Sequence, residues 1–361
     1  MKNVLKIFTI LLIMYFVLLY APAVQAAEIV HSGKSGDIDW SIDSEGRLTL
    51  SGSGNDSSRE WQKYASEIKT AKVDIEDITS LSYMFYGCGA LTYADLTKLD
   101  TSKVTDMAAM FYECRSLASL DLSGFDTSRV TDMAAMFYEC SGLREINLNG
   151  WDTSKVTDMQ EMFSRCGNLL EIDLGGFHTE NVTNMSGMFF MCHGLTSLDL
   201  SSFCTTNVLY MGGMFCRCEN LKVLNMENCD MSKCKSAEDM FTLCHVIEEI
   251  RAPYRVKVDV EIPAGGGKEW RDEFGNVYTR FPKDMEKSVV LRYKRILKKG
   301  DINADGKITM ADLMMCLHHV SGRMALAGDE FLAADIDGGG EVKMNDLMRI
   351  LHYVSGRNTE I

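Results

Sequence analysis

The chain has 361 residues, a formal charge of −14 and a pI of about 5.0. This acidic balance argues against binding to nucleic acid and to anionic membrane surfaces, which attract basic proteins. The length is sufficient for two domains.

The first 26 residues have the pattern of a secretory signal peptide. Lys2 and Lys6 precede an uncharged apolar stretch at residues 7–20. Val24 and Ala26 then place small residues where a signal peptidase cleaves. The apolar stretch is shorter than the roughly 20 residues of a membrane-spanning helix. We therefore expect residues 1–26 to be removed and the mature protein to be secreted, with no membrane span.

A 26-residue repeat dominates the middle of the chain. One unit reads DTSKVTDMAAMFYECRSLASLDLSGF, and the next reads DTSRVTDMAAMFYECSGLREINLNGW. The units begin at Asp100, Asp126, Asp152, His178, Cys204 and Asp230. Met84, Phe85 and Cys88 occupy the same columns of an incomplete unit ahead of them. The repeat therefore predicts a solenoid of seven stacked coils, because one unit cannot bury its apolar face alone.

Each unit predicts a short strand followed by a compact turn. In the segment LASLDL, apolar and polar residues alternate, so Leu120 and Leu122 are expected to face the core. The segment MFYEC is expected to form a helical turn. Stacked units would align their strands in parallel, about 4.8 Å apart.

The pattern LxxLDLSxFDTSxVTDMxxMFxxC resembles the BspA-like leucine-rich repeats of bacterial surface proteins, over residues 77–250. Residues 36–61 resemble the β-rich segment that often precedes such repeats, and residues 269–282 resemble a C-terminal cap. The resemblance implies a binding solenoid with β-rich caps at 27–76 and 251–299, since a solenoid's open ends need cover.

Twelve cysteines raise the question of disulfides in a secreted chain. Seven share one repeat column: Cys88, Cys114, Cys140, Cys166, Cys192, Cys218 and Cys244. We expect these to be buried thiols, because a fixed repeat position points into the core. Cys204 and Cys229 interrupt the pattern, so one local disulfide there stays open. The cysteine and histidine spacings do not favour a zinc site.

Two further columns are acidic. One comprises Asp95, Asp121, Asn147, Asp173, Asp199 and Asn225, and the other comprises Asp106, Asp132, Asp158 and Asn184. Stacked carboxylates repel, so they need hydrogen bonds, water or cations. We expect hydrogen bonds to neighbouring backbone amides or solvation; calcium binding or a polar recognition strip is the alternative. The methionine column at Met107, Met133, Met159, Met185 and Met211 is expected in the core.

After residue 300 the repeat ends and a segment duplicates itself at a spacing of 34 residues. Calcium prefers six to eight oxygen ligands, which an EF-hand-type loop supplies from positions 1, 3, 5, 7, 9 and 12. The first loop offers Asp301, Asn303, Asp305, the Lys307 carbonyl, a water near Thr309, and Asp312. The second offers Asp335, Asp337, Gly339, Glu341 and Asp346. Because Gly339 has no side-chain ligand, we expect two calcium sites, the second weaker.

The duplicated loop–helix pattern resembles a type I dockerin over residues 300–357. The resemblance implies a small α-helical, calcium-binding module that docks onto a cohesin module of a cellulosomal scaffoldin. The implied contact residues are Met310, Ala311, Leu317, His318, Met344, Asn345, Leu351 and His352. Positions 10 and 11 of both loops lack the hydroxylated residues that many dockerins carry, so the identity of the cohesin stays open.

Three functional classes compete. The sequence favours a non-catalytic extracellular binding or adhesion protein displayed on a scaffold through its dockerin, with an unknown protein or carbohydrate ligand on the repeats. The alternatives are an extracellular protease inhibitor and an unrecognised polysaccharide-degrading enzyme. The sequence shows no nucleophile elbow and no HExxH motif, so no catalytic residue is predicted.

Overall fold

A computed structural model describes residues 27–55, 58–263, 268–295, 298–303, 305–357 and 360. The predicted signal peptide, residues 1–26, lies outside the described residues. No helix in these described ranges is both long and apolar enough to cross a membrane.

The N-terminal part is a five-stranded sheet that continues into the first coil. Its elements are β1 (Ile29–Ser35), β2 (Ile38–Asp43), β3 (Arg47–Ser53), a 3-10 helix (Glu60–Glu67), β4 (Thr70–Glu76) and β5 (Tyr93–Asp95). Strands β1 to β3 pair antiparallel, whereas β3–β4 and β4–β5 pair parallel. Trp61 is fully buried, and its indole N–H donates to the Met84 carbonyl at 3.0 Å. The sheet thus changes from hairpins to the parallel pairing of the solenoid.

The predicted repeat strands form on one face of the solenoid. They are β6 (Ser119–Asp121), β7 (Glu145–Asn147), β8 (Ser197–Asp199), β9 (Val223–Asn225) and β10 (Glu249–Arg251). The pairs β6–β7, β8–β9 and β9–β10 are parallel and in register at the repeat spacing. Leu120 and Leu122 are buried while Ser119 and Asp121 are exposed, as the alternation predicted. The equivalent residues 171–173 form no strand, so the sheet is interrupted there.

The MFYEC segment is compact, but it is a series of turns and not a helical turn. The Tyr112 N–H donates to the Ala109 carbonyl at 3.1 Å, an i→i−3 bond. The intervening Phe111 N–H donates instead to the Met136 carbonyl of the next coil, at 2.9 Å. Ala109 and Glu113 have φ of 52° and 60°, which no α-helix accommodates. The turns therefore serve as a second ladder between coils.

The core consists of stacked columns. The phenylalanine rings Phe85, Phe111, Phe137, Phe163, Phe189, Phe215 and Phe241 stack with centroids 5.4–6.1 Å apart. The column from Met107 to Met211 is buried, which confirms its core position. All twelve cysteines are free thiols, Cys204 and Cys229 included, and the seven column cysteines are fully buried. The buried-thiol prediction is confirmed.

A β-rich segment covers the C-terminal end of the solenoid. It contains β11 (Lys268–Arg271), β12 (Val277–Tyr278) and β13 (Val290–Arg295). Strand β13 pairs antiparallel with β10 and β11, which joins the segment to the last coil. Phe281 meets Phe241 edge-on, with centroids 5.5 Å apart and an interplanar angle of 84°. The change from stacked to edge-on geometry ends the phenylalanine column.

The C-terminal module has its own small core. It contains α1 (Met310–Val320), α2 (Gly328–Ala334) and α3 (Met344–Val354). Leu313 and Cys316 of α1 and Leu347 and Ile350 of α3 are buried in one cluster, separate from the solenoid core. The matching residues recur 34 positions apart, so the two halves pack against each other through equivalent faces.

Candidate calcium loops and docking surface

In the first loop, Asp312 organises the backbone. Its Oδ1 accepts the N–H of Ile302 at 2.7 Å and of Asn303 at 3.0 Å, and its Oδ2 accepts the N–H of Thr309 at 2.9 Å. Asp312 is fully buried. Thr309 caps α1 and forms a capping box with Asp312, so the last loop residue also fixes the start of the helix.

Asp301 at position 1 has one unsatisfied oxygen. Its Oδ2 accepts the Gly306 N–H at 3.0 Å, whereas its buried Oδ1 has no hydrogen-bond partner among the described residues. Asp301 is only 8% exposed. A buried carboxylate oxygen without a partner is costly unless a cation or donor meets it. Gly306 at position 6 has φ of 87°, which supplies the sharp turn of such loops.

The other first-loop residues line the turn. Asn303 Oδ1 accepts the Asp305 N–H at 3.1 Å, and Asp305 Oδ1 accepts the Lys307 N–H at 2.8 Å. The Lys307 side chain is exposed, so only its carbonyl is suited to a ligand role, as the sequence predicted.

The second loop brings three carboxylates together. One oxygen each of Asp335, Asp337 and Asp346 lies within 4.8 Å of the others. Asp346 accepts the Ile336 N–H at 2.8 Å and the Lys343 N–H at 2.9 Å, the same role as in the first loop. Hydrogen bonds from the Gly339 N–H and then from Asn345 lower the pKa of Asp337. Gly340 at position 6 has φ of 78°.

The two loops differ in how closely their carboxylates lie to one another. Among the described residues, the Asp335–Asp337–Asp346 group is the only carboxylate cluster this tight. An added Cβ at Gly339 would lie 2.9 Å from Asp337 Oδ1, so a larger residue there would require the Asp337 carboxylate to shift. Glu341 pairs its side chain with Lys343 and is exposed, so only its carbonyl suits the loop.

Both loops fit a hard divalent cation. Their donors are carboxylate, amide and carbonyl oxygens, which calcium prefers, and the first loop holds an unpartnered buried oxygen. Asp301, Asn303, Asp305, Lys307, Thr309 and Asp312 would hold one ion, and Asp335, Asp337, Gly339, Glu341 and Asp346 the other. Bound calcium would neutralise the clustered carboxylates and tie each loop to the helix that follows.

The predicted docking residues lie on α1 and α3 next to the loops. Met310 is 57% exposed, Met344 is 56% exposed and Leu317 is 37% exposed. Ala311 and Asn345 are also exposed, whereas His318 and His352 are half-buried. Leu351, the implied contact residue that matches Leu317 in the second half, is half-buried and packs against the module core.

The structure adds two residues that the sequence interpretation missed. Met314 and Met348 are 42% and 40% exposed and lie one turn after Met310 and Met344. Each helix therefore carries an apolar row, and the spacing i, i+4, i+7 in the sequence was the signal for it. Each row begins at the first residue of its helix, directly after a candidate calcium loop.

On the solenoid, the acidic columns are held by local hydrogen bonds. Asp121 Oδ1 accepts the Ser123 N–H at 3.0 Å, and Asp132 Oδ1 accepts the Ala134 N–H at 2.9 Å. Asn184, in the same column as Asp132, does likewise. The prediction of hydrogen bonds to neighbouring amides is confirmed. Some of the second oxygens also bond between coils, since Ser80 Oγ donates to Asp106 Oδ2 at 3.3 Å and Asn184 Nδ2 donates to Asp158 Oδ2 at 3.5 Å.

A tyrosine strip, Tyr86, Tyr112 and Tyr138, runs along the turn side. Their rings stack with centroids 4.8 and 4.4 Å apart, and burial raises the pKa of Tyr112 to about 12. The Arg165 guanidinium lies over Tyr138 at 5.8 Å and over Phe190 at 5.7 Å. In the sequence, a tyrosine follows the column phenylalanine in three successive units, and this pattern could have predicted the strip.

Several solved structures are similar to parts of this chain. A leucine-rich repeat protein from Eubacterium ventriosum ATCC 27560 is 14% identical over 61% of this chain and 90% of its own, with a TM-score of 0.25. A leucine rich cell surface protein from Faecalibacterium prausnitzii A2-165 is 15% identical over 70% and 62%, at 0.28. A TLR13–ssRNA13 complex is 18% identical over 48% and 26%, at 0.27. No curated protein matches the chain.

Two family profiles match. "Mycoplasma protein of unknown function, DUF285" matches residues 56–147 and 140–251, which together span more than half of the 361 residues. "Dockerin type I domain" matches residues 299–355. The BspA-like repeats and the dockerin expected from the sequence are confirmed: this chain belongs to the DUF285 family and carries a C-terminal type I dockerin domain.

Proposed function

We propose that this protein is a non-catalytic extracellular binding protein, displayed on a cellulosome-like scaffold by calcium-dependent docking of its dockerin onto a scaffoldin cohesin. The observation that carries the proposal is the duplicated surface in which a calcium loop adjoins an exposed apolar row. Such rows are suited to a protein interface, because interface energy concentrates in a few desolvated side chains.

The repeats would supply the second binding surface. A solenoid presents a long face whose residues vary while its columns hold the core. Here the acidic strand face and the tyrosine strip would meet an unidentified protein or carbohydrate ligand. The domain limits that accompany this proposal are 1–26 for the signal peptide, 27–76 and 251–299 for the caps, 77–250 for the repeats and 300–357 for the dockerin.

Docking is tested by disabling the two apolar rows separately. One variant carries Met310→Asp and Leu317→Asp, a second carries Met344→Asp and Met348→Asp, and a third carries all four changes. The second variant changes Met348 and not Leu351, the residue that matches Leu317, because Leu351 packs against the core. The two halves are equivalent enough to dock in two orientations, so each double variant should retain most affinity for a scaffoldin cohesin in titration calorimetry, and the quadruple variant should lose it.

The outcomes separate the possibilities. If one double variant alone abolishes binding, the protein docks in a single orientation. If the quadruple variant binds normally while retaining calcium-dependent helicity, the proposed surface is wrong. The enzyme and inhibitor alternatives are tested with the purified chain: hydrolysis of plant polysaccharide or casein would favour an enzyme, and blockade of an extracellular protease would favour an inhibitor.

A further inference from the structure

Asn345 connects the proposed docking surface to the second calcium loop. Its side-chain Nδ2 donates to Asp337 Oδ2 at 3.3 Å. Asn345 is exposed at loop position 11, whereas Asp337 is the ligand at position 3. One hydrogen bond therefore joins a surface residue of α3 to a carboxylate of the metal cluster.

The first half of the dockerin has no equivalent bond. The residue 34 positions earlier is Ala311, which has no donor beyond its backbone. Asn303, at position 3 of that loop, donates its Nδ2 to Asp305 Oδ2 at 3.2 Å, inside the loop. The link between position 11 and position 3 is thus a property of the second half.

We propose that Asn345 is a positioning residue for Asp337, and that it couples docking through the second half to calcium in loop 2. This inference rests on the proposed function. The two oxygens of Asp337 have different donors, since Oδ1 accepts the Gly339 N–H at 2.9 Å. Two donors fix the plane of the carboxylate before a metal arrives, and such outer partners support ligand geometry.

The position of Asp337 matters more because loop 2 has fewer side-chain ligands for calcium. Gly339 contributes no side-chain ligand at position 5, so Asp335, Asp337 and Asp346 carry the charge. A cohesin that engages the Asn345 amide would weaken its hold on Asp337, and one that orders the amide would strengthen it. By linkage, calcium changes docking affinity by the same factor as docking changes calcium affinity. Docking through the first half has no such route.

The first test follows calcium binding to each loop in the full chain. The amide signals of Gly306 and Gly340 report the two loops separately in NMR titrations. We expect Asn345→Ala to weaken calcium at loop 2 by about tenfold, the usual scale for loss of an outer partner, and to leave loop 1 unchanged. Asn345→Gln, which keeps an amide donor, should recover part of the affinity. If the variant only destabilised the module, calcium affinity would fall at both loops.

The second test measures the calcium concentration for half-maximal cohesin binding. In the Met310→Asp, Leu317→Asp background, which leaves the second half, Asn345→Ala should raise that concentration about tenfold. In the Met344→Asp, Met348→Asp background Asn345→Ala should have a clearly smaller effect on that concentration, because only the shared core then connects docking to loop 2. Unchanged loop 2 affinity in Asn345→Ala, or an equal loss at both loops, overturns the coupling while leaving the proposed function intact. Failure of the unaltered chain to bind calcium overturns the proposed function itself.

Discussion

The Cys114 thiol donates to the backbone carbonyl of Phe85 in the preceding coil, with Sγ and O 3.2 Å apart. The same contact recurs at Cys140, Cys166, Cys192, Cys218 and Cys244, each 29 residues after its acceptor. Each of these carbonyls also accepts the backbone N–H of the column cysteine in its own coil, as the Phe85 carbonyl does from Cys88 at 3.0 Å, so the thiol supplies a second hydrogen bond. The cysteine column is thus a row of weak hydrogen-bond donors that links the coils, and this role requires the S–H group of a free thiol.

Alkylation should reveal these thiols. Burial raises the pKa of Cys140 and Cys192 to about 12, and the thiolate is the reactive form. In the native, unreduced protein, we expect the column cysteines to resist iodoacetamide while the half-exposed Cys204 reacts. After unfolding without reductant, mass spectrometry should find at least the seven column thiols labelled. Finding none of them free would overturn the buried-thiol account.

Removal of one ring from the phenylalanine column should destabilise the solenoid strongly. Phe163 is fully buried and stacks on Phe137 at 5.4 Å and Phe189 at 5.8 Å. Phe163→Ala should lower the free energy of unfolding by about 3–5 kcal/mol in denaturant titrations. As a control, Leu170→Ala removes a side chain that is 60% exposed and should change it by less than about 0.5 kcal/mol. Equal effects would contradict the stacked core.

Asp132 should make stability depend on pH. Burial, followed by the charges of Asp106 and Asp158, raises its pKa in the folded state. The folded state then holds the proton more tightly than the unfolded state, so this carboxylate costs stability above the raised pKa, and the cost disappears as the pH falls through it. Asp132→Asn, which copies Asn184, should therefore stabilise the protein at pH 7.

The gain should stay below about 1 kcal/mol, because water screens a half-exposed carboxylate. Thermal or denaturant unfolding of both proteins across the acidic range measures it. The two stabilities should converge at low pH, and a variant less stable than the unaltered chain at pH 7 would refute the proposed repulsion.

Chelation of calcium should unfold the dockerin and leave the solenoid folded. Because the module has a small core, metal binding energy becomes folding energy. In the described chain all three α-helices belong to this module, so the far-ultraviolet helical signal should fall in chelator. Asp301→Ala should raise the calcium needed to restore it, whereas Asp121→Ala on the repeats should not. An unchanged helical signal in chelator would refute the metal assignment.

The sequence by itself determined the repeat, the buried columns and the loops. A period of 26 residues repeats each side chain's environment, so Phe163 had to face the core once its column was apolar. Loop spacing likewise predicts Asp301 and Asp335 as first calcium ligands, because calcium requires oxygens at fixed intervals. These are patterns of spacing along the chain, so they can be recognised from one sequence without knowledge of the fold.

Only the tertiary structure decided how equivalent positions differ. Leu317 is exposed while Leu351 is half-buried, although the two occupy matching helix positions. Asn345 reaches Asp337, and the interruption of the sheet falls at residues 171–173. The MFYEC segment forms turns because alternate N–H groups, those of Phe111 and Glu113, bond to the next coil. Each outcome depends on neighbours brought close by folding, whose distances no spacing along the chain specifies.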